Sequence, residues 1–529
     1  MPTQLKVRSV PAVTIKDMLG DGTELALIDV REELTFSQNH LLWARNLPLS
    51  RLELQFARRV PRLTTRIVLC DDNDGLAKRA ATILANAGYT DLSYLQGGVA
   101  AWAAAGFVLF SGVHVPSKAF GEFVEHDSGT PSISADELDA MMRKGTDIKV
   151  LDSRPFDEYA RISIPTGINV PGAELVLRVR DVVNSPETTI VVNCAGRTRS
   201  IIGAQSLINA GVPNKVVALR NGTMGWHLAG LACDSGENAR APAVSGTGLK
   251  WAKSAAAAVA RKFNIEHIDV AKLNEFRADP KRTTYIFDVR DPDEYAAGHF
   301  PGAVSAPGGQ LVQATDEWVA VRGARLVLFD DDGIRARMAA SWLVQMGWDA
   351  SVVGPDVVAA SDTGMPAPRR PVLPDPGTAT IDVADLAQHR DRWTVVDLSR
   401  SPAYAKGRIP GAHFVLASRF VDDLPRLPGD GPVLLTSHDG AEALFALADA
   451  SAATHRDVFV LAGGTQSWIE SGRALEQDHQ SWISRPDDIY KRPYEGTNNA
   501  TEAMQAYIDW ELHLVAQLAN DSISNFHVV

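Results

Sequence analysis

The chain has 529 residues, a length that suggests three or four domains, each able to bury its own core. Its 45% hydrophobic and 22% charged residues are ordinary for a folded globular protein, while a net charge of −12 argues against a nucleic-acid binder, which carries a basic face. No run is long and apolar enough to span a bilayer, the opening stretch lacks the pattern of a secretory signal, and Cys70, Cys194 and Cys233 are too few and scattered for a disulfide framework or a zinc site. The expectation is a protein of the reducing cytoplasm, with no metal, no cofactor, and no nucleic-acid or membrane partner.

In chain order, one pattern comes round four times. A β-branched or apolar run ends in aspartate in "ALIDVREELTF" (Asp29), "KVLDSRPFDEYA" (Asp152), "YIFDVRDPDEYAAGHFPGA" (Asp288) and "TVVDLSRSPAYAKGRIPGA" (Asp397). Each is followed by a second buried-strand pattern, "RIVLC", "TIVVN", "RLVLF" or "GPVLLT", then a short polar or Gly-containing loop and an Ala-rich helical stretch. Three rounds close on "LQGGVAAW", "LRNGTMGW" or "LAGGTQSW"; the third has only "ASVVGPDVVAA" there. A period this long means tandem domains rather than a solenoid. Short apolar strands alternating with amphipathic helices predict an α/β fold in each: a central, mostly parallel sheet flanked by helices.

The rounds place domains at 8–112, 130–236, 262–360 and 378–477, with a tail over 478–529. Gly, Pro and Ser in "FSGVHVPSKAFGEFVEHDSGTPS", "CDSGENARAPAVSGTG" and "SDTGMPAPRRPVLPDPGTA" suggest linkers. In the tail, Met504, Tyr507, Ile508, Leu512, Val515 and Leu518 recur at helical spacing, which predicts a helix docked on a neighbouring domain.

Chemistry concentrates at "VVNCAGRTRSIIGAQSLINAG", where a strand ends in Cys194 before a loop and a helix. Ligands of parallel α/β sheets sit beyond the carboxyl ends of the strands, which is where Cys194 falls. The amides of Ala195, Gly196, Arg197, Thr198, Arg199 and Ser200 can curl into a nest, joined by the unsatisfied donors of the helix's first turn. A thiolate at the head of that nest is favoured by those dipoles and by Arg197 and Arg199, and so is a persulfide, whose charge lies one atom further out. Transfer of sulfane sulfur through Cys194 suits such a site.

The segments "LDSRPFDEY", "CAGRTRS" and "LRNGTMGW" resemble the rhodanese family of sulfurtransferases, and the other rounds share the frame, down to "GHFPGA" and "GRIPGA". The chain is thus similar to a tandem four-rhodanese protein. The resemblance implies a Cys194 persulfide, residues 195–200 as the anion cradle, a small anionic donor such as thiosulfate, and a cyanide or thiol acceptor, with a protein acceptor as a further option. Asp152 and Arg154 recur, exactly or nearly, in rounds without a cysteine; they are expected to organise the fold, with a supporting role behind the loop as the alternative. Aligning the rounds sets Cys194 level with Asp71, Asp330 and Ser437, so the other three are expected to be inactive. Cys70 falls one residue early and reads as packing, Cys233 as without a role, and Trp226 as core beside Trp102 and Trp468.

Two other functions compete. A cysteine phosphatase uses a C-x-x-x-x-x-R cradle, one residue longer than the span from Cys194 to Arg199, and the tighter ring fits sulfur. A non-catalytic scaffold of four domains is the second alternative.

Overall fold

The computed structural model describes residues 7–354, 362–364, 372–495, 500–521 and 524–528. Where the sequence alternates buried strand and helix it builds four mostly parallel sheets of one design. The chain divides into two compact units: one carries the first and fourth sheets, the other the second and third together with the C-terminal helix.

The second sheet carries the cysteine loop. In chain order its surroundings are α1 (Val115–Ser128), β1 (Ser132–Ile133), α2 (Ala135–Arg143), β2 (Ile148–Asp152), α3 (Phe156–Arg161), β3 (Ile168–Asn169), α4 (Leu175–Val182), β4 (Thr189–Asn193), α5 (Thr198–Asn209), β5 (Val216–Leu219), α6 (Gly222–Leu228), α7 (Gly246–Lys262) and, at the end of the chain, α8 (Thr501–Asp521). Strand order is β1-β5-β4-β2-β3, which puts β4 in the middle of the sheet. A central strand covered on both faces must be apolar on both. In β4, Ile190 and Val192 face a core with Leu175, Val179, Leu207 and Ala256. Val191 faces the opposite core, with Leu138, Val150, Val217 and Trp226.

Register confirms the alignment of the four rounds. Asp152 pairs with Asn193, Asp29 with Cys70, Asp288 with Phe329 and Asp397 with Thr436. Cys194, Asp71, Asp330 and Ser437 each follow those positions. Trp102, Trp226 and Trp468 are buried, and their indoles donate to Val108 O, Ala232 O and Ala474 O at 3.0, 2.8 and 3.0 Å.

One linker expectation fails. Most of the stretch over 110–132 is helix α1, with Val115, Ala119, Phe120 and Val124 buried at helical spacing. Its Gly and Ser residues suggested a loop, but tertiary packing of that apolar face decides the conformation. The second stretch is irregular only as far as α7, and much of the third lies outside the described residues, as does the end of "ASVVGPDVVAA". The tail helix does form: Met504, Tyr507 and Ile508 of α8 pack against Met224 of α6. Among the described residues no helix is long and apolar enough to cross a membrane, and no cluster of side chains could hold a metal ion.

Candidate active site

Beneath the loop lies a buried polar lattice. Asp152 Oδ1 accepts from the Arg154 amide and Nε at 3.1 and 2.9 Å, and its Oδ2 accepts from Arg154 Nη2 at 2.7 Å and Asn193 Nδ2 at 3.0 Å. The same Asn193 amide donates to Thr223 Oγ1 at 3.1 Å. The strand end is therefore tied both to the neighbouring strand and to the closing helix. In the first and third sheets Asp29–Arg31 and Asp288–Arg290 make the equivalent pairs at 2.6 Å. Their recurrence without a nucleophile marks the pair as architecture.

The loop's carbonyls are turned outward onto α6. The Thr223 amide donates to Cys194 O at 2.8 Å and the Met224 amide to Ala195 O at 2.9 Å. Gly222 makes this possible: at φ +55° it lies so close that an added Cβ would stand 2.3 Å from Cys194 O. Gly98 and Gly464 repeat that approach to Asp71 O and Ser437 O in other sheets. With the first two carbonyls of the loop turned onto α6, the amides that follow are left to make the nest.

Cys194 is buried, and its Sγ donates to Ser200 Oγ at 3.5 Å. That hydroxyl gives its own proton to Arg197 O at 2.8 Å. A hydroxyl has one proton, so Ser200 accepts from the thiol and must swing to support a thiolate.

Both arginines are buried, and both are already engaged. Arg197 donates from Nε and Nη2 to the two oxygens of Glu122 at 2.7 Å each, from Nη1 to Asn221 Oδ1 at 3.0 Å, and also to Glu125. Arg199 grips Glu158 with both terminal nitrogens, at 2.9 and 2.8 Å, and donates to Gln310 Oε1 at 3.2 Å. Burial alone would raise the Glu158 carboxyl, but Arg199 overrides it and pulls it down to about 2. In return Arg199 stays protonated well above its ordinary value. Thr198 lies against Gly121 of α1, where an added Cβ would meet its methyl at 2.8 Å, and its hydroxyl is buried without a hydrogen bond. The structure thus gathers Cys194, residues 195–200, Asp152 and Arg154 in one place, but directs the guanidiniums into carboxylates.

Cys70 stands apart: it is fully buried at the end of its strand, and burial pushes its thiol well above the usual value. Cys233 is half-buried beside the Trp226 core, with its thiol also pushed up by burial.

In the loops without cysteine, the residue at its position occupies the nest. Asp71 accepts from the amides of Asn73, Gly75 and Ala77 at 3.0, 3.2 and 3.0 Å. Asp330 accepts from Gly333 and Ala336 at 2.8 and 3.0 Å. Ser437 Oγ accepts from Ala443 at 3.4 Å. Burial, aided by Asp332, raises the Asp330 carboxyl to about 7.

Sequence reasoning did not find Glu122, Glu158, Asn193 or Thr223. Asn193 and Thr223 had a signal, since Thr436 and Thr465 stand at the same places and bridge at 3.1 Å. Glu158 had one as well, since the third round repeats it as Glu294; Glu122 had none, because the contact that gives it meaning joins α1 to a loop far along the chain.

Comparison with known proteins places the chain. Four segments match the family model for the rhodanese-like domain, at residues 12–105, 134–229, 269–364 and 381–471. A crystal structure described as thiosulfate sulfurtransferase from Pseudomonas aeruginosa superposes with a TM-score of 0.96 at 48% identity, covering 99% of this chain and 100% of that one. Curated relatives match over shorter spans. The HTH-type transcriptional regulator Rv0324 of Mycobacterium tuberculosis is 32% identical over 18% of this chain and 41% of its own length. The probable adenylyltransferase/sulfurtransferase MoeZ of the same species is 32% identical over 17% of this chain and 23% of its own. The chain therefore spans less than half of either curated relative. Four sheets of one topology, with their matching loops, are four copies of one domain, and the chain belongs to the rhodanese family.

Proposed function

We propose that this protein is a thiosulfate sulfurtransferase of the cytoplasm with one working site, built on Cys194 in the second of its four domains. The thiolate attacks the sulfane sulfur of thiosulfate, the S–S bond breaks, and sulfite leaves with the electron pair. The product is Cys–S–S⁻, its charge on the outer sulfur. A cyanide or thiolate acceptor then takes that sulfur and restores the thiolate. The acceptor is a small thiophile or a protein thiol. No cofactor enters either half, because each is a displacement at sulfur.

One observation carries the reading: in two sibling loops a carboxylate oxygen rests on the loop amides where the outer sulfur of a persulfide would rest. Asp71 and Asp330 are positional analogues of that outer sulfur, and they support one set of donors. By position they are the amides of Gly196, Arg197, Thr198 and Ser200. Charge-assisted hydrogen bonds from fixed amides stabilise an anion without reorganisation. On this reading Arg197 and Arg199 shape the loop rather than clamp the substrate, and Asp152 and Arg154 hold the strand end beneath it. The carboxylates and Ser437 leave the other three domains without a nucleophile, as architecture. Arg197 and Arg199 are both held by carboxylates, so neither loop guanidinium is open to a phosphate ester, which disfavours phosphatase chemistry.

The test is mass spectrometry of the intact protein after thiosulfate. A gain of about 32 Da, one sulfur, is expected on Cys194. It should persist in Cys70→Ser and vanish, with all turnover, in Cys194→Ser. A label on Cys70 in place of Cys194 would overturn the assignment.

A further inference from the structure

If the loop arginines are spent, some other group must meet the anionic end of the donor. Counting charge around the nest sharpens the question. Arg197 is neutralised by Glu122 and Glu125, Arg199 by Glu158 and Arg154 by Asp152, all through aligned hydrogen bonds.

One cation beside the loop is held differently. Lys118 of α1 is buried, 3.1 Å from Glu511 of α8, and stands 5.6 Å over the Tyr507 ring. Glu511 is fully buried, and Lys118 is its one cationic partner among the described ion pairs. Glu511 in turn abuts the loop. A Cβ on Gly196 would lie 3.1 Å from its Oε2 and 3.9 Å from Tyr507 Cε1. At that place the sibling loops carry Asn73, Asp332 and Asp439, and only this one carries glycine.

A buried ion pair is a poor source of stability. Here it lies beside the residue whose amide is assigned to the outer sulfur. Burial opposes the lysine's charge, yet Glu511 keeps it protonated above its ordinary range.

We propose that Lys118, held by Glu511 of the C-terminal helix, is the specificity-determining cation that receives the anionic oxygens of the sulfur donor. The proposal rests on Cys194 being the persulfide carrier. Lys118 has N–H donors to give because an ammonium carries three and Glu511 is its one carboxylate partner, whereas each arginine would have to surrender two. The C-terminal helix, which follows the fourth domain in sequence, thereby contributes to the site of the second. Donor charge should then decide the effect of losing the lysine.

The experiment compares sulfur loading on Cys194 from thiosulfate, a dianion, and from an alkyl hydropersulfide with an uncharged tail. Wild type is set beside Lys118→Met and the doubly changed Lys118→Met/Glu511→Gln, which leaves no unpaired buried charge if the single change fails to fold. The double variant should raise the thiosulfate KM about tenfold or more, the loss of one charge-assisted contact. Its loading from the hydropersulfide should stay within about threefold of wild type. An unchanged thiosulfate KM would overturn the proposal, and so would an equal loss with both donors, which marks a purely structural pair. Failure of wild-type Cys194 to load from either donor would instead strike the sulfurtransferase reading itself.

Discussion

Cys194 and Asp330 occupy one position in two copies of a loop, and the contrast between them explains what the loop is for. The Asp330 side chain fills the nest from within, accepting from the amides of Gly333 and Ala336; the Cys194 thiol stops one atom short of that place. What surrounds it is set by pairwise charge. Glu158 is the clearest case, since its carboxyl is held at about 2 by Arg199 against the opposing effect of burial. A carboxyl depressed on folding stabilises the fold above its unfolded value and loses that contribution as pH falls through the folded one. The Glu158–Arg199 pair should therefore contribute fully above about pH 5 and fade between there and about pH 2, the range set by the unfolded and folded values. Glu158→Gln should be less stable than wild type at pH 7, and the gap should narrow as the pH is lowered toward 3. Urea unfolding at a series of pH values checks this, and a gap that widens in acid would mean that Arg199 is held by something other than the Glu158 charge.

Among the elements, α6 is what turns a strand-helix loop into a nest, and Gly222 is the residue on which that depends. Substitution by alanine carries a double cost: the residue is at φ +55°, and the new methyl would meet Cys194 O at 2.3 Å. Gly211→Ala is the matched control, at φ +74° with nothing within 4 Å of the added carbon. The control should cost about 1 kcal/mol and Gly222→Ala about 2 kcal/mol more, with sulfur loading of Cys194 lost only in the second. Equal costs in denaturant titration would show that the carbonyl contact bears no load. Gly222 belongs to a motif, "LRNGTMGW", and motifs of this kind are local, so this much could be read in the chain. So could the strands, from their apolar runs, and the placement of Cys194, from the alignment of four rounds. Helix α1 could not, because Gly and Ser in its sequence imitate a linker while its apolar face finds a partner only in three dimensions. The carboxylate that neutralises Arg197 was illegible for the same reason: Glu122 stands 75 residues before its arginine.

At the scale of the molecule, the second and third domains lie in one unit and meet through the same positions on each side. Arg199 reaches Glu158 in its own domain and Gln310 in the third; Arg335, at the corresponding place in the third, reaches Glu294 in its own and Glu174 in the second. Gly172 and Gly309 come close enough that a Cβ on either would touch the other's backbone at 3.4 or 3.1 Å. This is the self-complementary contact of a two-fold homodimer, made within one chain. It explains why a domain without a nucleophile keeps the loop arginine: Arg335 is retained for the interface. Arg335 is nearly fully buried and also binds Asp331 and Asp332, at 2.8 and 3.2 Å, so its removal strands several carboxylates. Breaking a buried network by deleting one partner costs on the order of 3–5 kcal/mol. Because the chain forms two compact units, calorimetry of Arg335→Met should show one transition lowered by several degrees and another unmoved. Adding Glu174→Gln should recover part of the loss, since it removes one of the stranded charges. If both transitions shift together, the two units unfold as one cooperative body; if neither shifts, the arginine carries no stability and its retention needs another cause.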